Sequence, residues 1–128
     1  MTLGPDFICV GMQRSGTGWL YDALNNIDIF KMLPIKEIGH FGGRHNKHHI
    51  RKLYNANKNK NRILNKNEKL IFNNCLKNYI NNNFSNDLYL SLFDVKGGNL
   101  SGDITPKYST LEKKDVENIY SLLPNIKI

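Results

Sequence analysis

Cysteine is scarce in this chain: Cys9 and Cys75 are the only two among 128 residues. Neither sits at a metal-type spacing from another ligand, and two distant cysteines make no disulfide framework. A reduced, cytoplasmic setting is the expectation. No apolar run approaches the ~20 residues of a membrane span. No N-terminal stretch is basic and then apolar for long enough to read as a signal peptide. Acidic residues are also few, 11 Asp+Glu against 18 Lys+Arg, for a formal net charge of +7. That balance favours an anionic partner such as nucleic acid, an acidic polysaccharide or a phosphorylated cofactor. The basic residues are spread through Asn-rich sequence, so on composition alone a solvated surface is the favoured account of them. The length allows one small domain with a real core, residues 1–128, and no repeat or linker divides it.

What is present has an alternating order. "DFICVG" is a short continuous apolar run ending in glycine, the pattern of a parallel strand buried on both faces. From Thr17, Leu20, Ala23, Leu24 and Ile27 recur at helical spacing. "IFKMLP" reads as a second short strand closed by Pro34, and "IKEIGHFGG" as a loop. Residues 44–67 are polar and rich in Lys and Asn, a surface helix followed by a loop. "EKLIFNNCLKNYI" reads as an amphipathic helix with Leu70, Ile71, Cys75, Tyr79 and Ile80 on one side. "DLYLSLFD" is another short helix and "VKGGN" a turn. "LSGDITP" is strand-like up to Pro106. "KKDVENIYSLLP" is a helix with Val116, Ile119, Tyr120 and Leu123 inward, and "NIKI" opens a last strand. Strands separated by helices predict an α/β fold: a P-loop-like parallel sheet flanked by helices, incomplete at the C-terminus.

The chemistry lies in "GMQRSGTGWL". A strand, a glycine loop and a helix N-terminus aim backbone N–H groups at one place, where the helix dipole favours negative charge. Ser15 and Thr17 add hydroxyls, and Arg14 adds a forked cation suited to phosphate or sulfate oxygens. Trp19 and Leu20 are expected to anchor the helix to the sheet. A triphosphate loop places lysine directly after its second glycine, followed by a hydroxyl for magnesium. Here those places hold Thr17 and Gly18. The loop therefore suits a terminal phosphate or phosphosulfate held without metal better than a metal-bound γ-phosphate.

At these residues the chain resembles the sulfotransferases that use 3′-phosphoadenosine-5′-phosphosulfate (PAPS). "RSGTGWL" is similar to their 5′-phosphosulfate loop, "KEIGHFG" to their K-E-x-x-[HFY]-F segment, and "SGDITPKYS" to their G-[ED]-x-[ST]-P-x-Y segment. All three occur in the family's order.

The resemblance implies an enzyme moving a sulfuryl group from PAPS, its co-substrate, to a hydroxyl or amine. The acceptor is a glycan, a small alcohol or a protein side chain. Residues 13–19 would hold the cofactor: Gln13, Arg14, Ser15, Gly16, Thr17, Gly18 and Trp19. Gly18 departs from the usual Ser or Thr. Glu37 matches the general base, which the chemistry needs because the acceptor must lose a proton as it attacks sulfur. Lys36 would stabilise charge on the sulfuryl group. Outside this context the same dipeptide reads as a surface ion pair. His40 is a second candidate base or a pocket residue. The four histidines of residues 40–49 are expected to rim the acceptor site rather than bind metal, since they lack an acidic or cysteine partner. Lys107 or Tyr108 would touch substrate. The family's 3′-phosphate pattern begins on the next strand, so the chain is expected to be the N-terminal part of one such domain. The alternatives are a P-loop kinase and a basic nucleic-acid-binding domain. The first lacks the loop lysine. The second has few aromatics beyond Tyr54 for base stacking, so no nucleic-acid partner is expected.

Overall fold

The computed structural model describes residues 3–11, 16–43, 47–57 and 64–128. The chain is mixed α/β. Strands β1 (Phe7–Cys9) and β2 (Gly102–Ile104) pair in parallel, with Phe7 opposite Gly102, Ile8 opposite Asp103 and Cys9 opposite Ile104. A single parallel bridge joins Phe30 to Leu100 beyond β2, and another joins Phe7 to Lys127 beyond β1. The order across the sheet is thus the Phe30 segment, β2, β1 and the Lys127 segment. The outer two were expected as strands, but each makes only one bridge. Pro34 has no N–H to extend the first one. At Gly102 a Cβ would run into the Phe7 ring, which stands edge-on to Phe30. Only glycine lets β2 approach this closely.

The helices are α1 (Thr17–Asn25), α2 (Lys47–Asn57), α3 (Lys66–Asn81), α4 (Asn86–Ser91) and α5 (Lys113–Leu122). "DLYLSLFD" is not one helix: α4 ends at Ser91 and a 3₁₀ turn continues over Leu92–Lys96. The start of α3 is set by a capping box. The Asn65 side chain accepts from the Glu68 N–H, and the Glu68 carboxylate accepts from the Asn65 N–H. From that start the inward stripe is Phe72, Leu76, Tyr79 and Ile80, while Leu70 and Ile71 are 60% and 53% exposed. The expected face was therefore rotated. In α5, Ile119 and Leu123 are buried but Val116 and Tyr120 are not.

The main core joins Leu33, Ile35 and Ile38 to Phe72, Leu76 and Tyr79 of α3 and to Leu92 and Phe93. Each such side chain contributes about 1.5–3 kcal/mol by leaving water. Lys36 and Glu37 lie between two of these anchors, Ile35 and Ile38. A smaller cluster packs Ile8 and Tyr108 against Ile119 and Leu123 of α5.

Part of the basic excess serves the fold. Lys96 is buried and donates to the Gly4 carbonyl (2.6 Å) and to Asp6 (2.7 Å). Lys31 pairs with Glu68 at 2.6 Å, tying the Phe30 segment to α3. That bond is the main cause holding the Glu68 carboxyl below its ordinary value of 4.5. A depressed folded value adds stability above the ordinary range, and the gain disappears as pH falls through the folded value. Lys31→Met should therefore lower the urea midpoint at pH 7, and the difference from the native chain should shrink as pH falls below the ordinary carboxylate range.

Candidate functional site

Because the sheet is parallel, its strand ends collect at one edge. Glycine-loop residue Gly11 follows β1, Thr105 follows β2, and Lys36–Glu37 follow the Phe30 segment. Backbone bonds hold the three together there. The Thr105 N–H donates to the Cys9 carbonyl (3.2 Å), and the Glu37 N–H donates to the Ile104 carbonyl (2.8 Å). Ligands of open parallel sheets bind at this kind of edge.

Gln13, Arg14 and Ser15 lie outside the described residues. Helix α1 opens at Gly16, in the left-handed region with φ 87°, and Gly16 supplies no capping side chain. No acidic residue stands in the first turn of α1. Instead, the Lys36 ammonium lies 3.1 Å from where a Cβ on Gly18 would be. A cation beside a helix N-terminus faces the positive end of the dipole, which is unfavourable unless an anion sits between them. The absence of a side chain at Gly18 admits that ammonium.

Trp19 does not anchor α1. It is 75% exposed, and no residue of the helix is fully buried. Leu20 is only half-buried. The link to the neighbouring segment comes from the Tyr21 hydroxyl, which donates to the Leu33 carbonyl.

Glu37 has φ 60°, a left-handed backbone that side chains resist. Strain of this kind persists only where neighbours over-determine it. Glu37 and Lys36 are both half-buried. They do not pair with each other: the ion pairs among the described residues are Lys31–Glu68, Lys96–Asp6 and Lys113–Glu117.

His40 departs from expectation. It is 5% exposed, stacked on Tyr89 with ring centroids 4.1 Å apart. Asn86 Oδ1 accepts from Nε2 (2.7 Å), and Nδ1 accepts from the Tyr79 hydroxyl (2.7 Å). With both nitrogens engaged in the core, His40 has no lone pair for a substrate proton and is not at a rim. His48 and His49 are exposed on α2.

Tyr108 is also interior, at 4% exposure, while Lys107 is exposed. The Tyr108 hydroxyl donates to Asp103 Oδ2 (2.7 Å) and accepts from the His40 N–H (2.8 Å). It therefore braces the site from below and is not open to substrate. Asp103 is the hub of this network. It is fully buried and accepts from Tyr89 (2.6 Å), Thr105 (2.7 Å) and Tyr108. Burial pushes its carboxyl up, against the three hydroxyl bonds that pull it down. Burial likewise raises the Tyr79, Tyr89 and Tyr108 hydroxyls, so they stay protonated donors. Asp103 and Thr105 share one strand face by their spacing of two, which the sequence could show. Tyr79, Tyr89 and Asn86 come from helices and carried no such signal.

A groove of about 280 Å³ lies elsewhere, between α2 and α3, lined by Arg51, Tyr54 and Lys77 among others and by none of the candidate site residues. Tyr54 is 8% exposed and packs on Phe72, which removes it from base stacking. Among the described residues no helix is long and apolar enough to cross a membrane. Comparison with family models, curated proteins and solved structures finds no match.

Proposed function

We propose that this chain forms the 5′-phosphosulfate side of a PAPS-dependent sulfotransferase site, on a P-loop-like sheet. The observation that carries the reading is the meeting of the three motif segments at one sheet edge, with the Lys36 ammonium against the first turn of α1. The α1 dipole and Lys36 favour an anion there, and the amides of the glycine loop would add to them. Arg14 would join them. Glu37, at the same edge, takes the proton of the acceptor hydroxyl as that oxygen bonds to sulfur. The S–O bond to the 5′-phosphate breaks, and Lys36 and the helix amides hold the charge left on 3′,5′-ADP. The exposed Trp19 ring offers a face on which adenine can stack.

Against a kinase stands the use of Asp103. Asp103, the middle residue of β2, is buried under three hydroxyls and holds no open position for magnesium. Thermal stability of the whole chain tests the reading. Millimolar 3′,5′-ADP without metal should raise Tm, by the equivalent of about 1.4 kcal/mol at ten times its Kd. Stabilisation by ATP with magnesium or by an oligonucleotide, and none by 3′,5′-ADP, would overturn it.

A further inference from the structure

We propose that Asp103 is a positioning residue for Glu37: it fixes the direction of the Thr105 and Tyr108 hydroxyls, which in turn hold the backbone that bends at Glu37. That Glu37 needs positioning as a base rests on the sulfuryl-transfer reading; the mechanical coupling does not.

A hydroxyl has one hydrogen to give. Thr105 gives its hydrogen to Asp103 Oδ1 and receives the Gly39 N–H at 3.3 Å. Tyr108 gives its hydrogen to Oδ2 and receives the His40 N–H at 2.8 Å and the Phe41 N–H at 3.5 Å. An ionised carboxylate can only accept, so it forces both hydroxyls to present lone pairs to the amides. The Glu37 N–H is held at the other end by the Ile104 carbonyl. The left-handed turn at Glu37 is thus clamped on both sides by residues 103–108. Tyr89 supplies a control. It donates to the same carboxylate but is bonded to none of these amides.

A double-mutant cycle on the whole chain reads the coupling without ligand. Tyr108→Phe removes the acceptor for His40 and should lower Tm by about 5 °C or more. Glu37→Gly frees the turn of its strain. In that background the loss from Tyr108→Phe should shrink by at least half. Thr105→Val, a milder change, should couple in the same direction. Tyr89→Phe should cost the same with Glu or Gly at 37. In Asp103→Asn, an amide hydrogen meets the hydroxyl that donated to the replaced oxygen, and the Gly39 amide (on the Thr105 side) or the His40 amide (on the Tyr108 side) should exchange with deuterium at least tenfold faster. Additive losses for both Tyr108→Phe and Thr105→Val, or unchanged exchange at Gly39 and His40, would overturn the proposal. The 3′,5′-ADP measurement bears on the base role alone, so failure of that reading and failure of the coupling are told apart.

Discussion

On the proposed sulfotransferase reading, Glu37→Gln should abolish most sulfuryl transfer while leaving the fold and the anion site in place. The carboxylate is half-buried, lies at the sheet edge and forms no ion pair with its neighbour Lys36. Its backbone N–H is committed to Ile104, and that bond survives the substitution. Glutamine keeps the shape and removes the proton acceptor. Positioned general bases contribute about 10²–10⁴-fold, so kcat should fall within that range. KM for PAPS and the Tm gain with 3′,5′-ADP should change little, because the loop and α1 are untouched. Equal loss of kcat and of 3′,5′-ADP binding would instead make Glu37 a binding residue. A variant with undiminished kcat would remove it from the chemistry.

The parts of this site that were legible in sequence are those set by local rules. The apolar run ending in glycine gives β1, and the helical spacing from Thr17 gives α1. The glycine at Gly16 answers to a left-handed φ of 87°. The motif grouped Lys36–Glu37 with the glycine loop, and the parallel pairing of their neighbours puts both at one sheet edge. What was not legible depends on partners distant in the chain. His40 stands next to a polar, histidine-rich stretch and looked like a rim residue. Its surroundings are set by Tyr79 and Asn86, which the order of helices alone brings to it. Tyr108 follows an exposed lysine in a 3₁₀ turn, and Asp103 together with the Ile8, Ile119 and Leu123 cluster turns it inward. Trp19 was assigned to the core by size. At the first turn of α1 it is 75% exposed instead.

Gly18 shows how a departure from a motif can be physical rather than neutral. It lies in the helix with no positive φ, so any residue could take its backbone. Alanine would favour the helix there by up to about 1 kcal/mol. The space it would fill is the approach of the Lys36 ammonium. A serine or threonine offers one hydroxyl to the anion, whereas glycine gives that place to a full charge. On the proposed reading, Lys36 would stand in for the hydrogen bond that the resemblance leaves missing.

The largest loss of stability should come from Phe72→Ala, and its neighbour supplies the contrast. "LIF" in α3 presents three consecutive apolar residues, and periodicity alone does not say which faces in. Phe72 is fully buried, whereas Ile71 is 53% exposed. Phe72 packs on Tyr54 of α2 and belongs to the cluster that holds Leu33, Ile35 and Ile38. Truncating a buried Phe costs about 3–5 kcal/mol through lost transfer energy and the cavity left behind. Ile71→Ala should stay within about 0.5 kcal/mol, since alanine also favours the helix. Urea unfolding of both variants measures the difference. A domain of this size has only about 5–15 kcal/mol in total, so Phe72→Ala should leave it close to unfolding at 37 °C. Because Ile35 and Ile38 flank Lys36 and Glu37, the same variant should also lose the Tm gain from 3′,5′-ADP, although Phe72 itself is buried in the core and not at the sheet edge. Equal losses for Phe72→Ala and Ile71→Ala would mean that α3 is rotated from the orientation described.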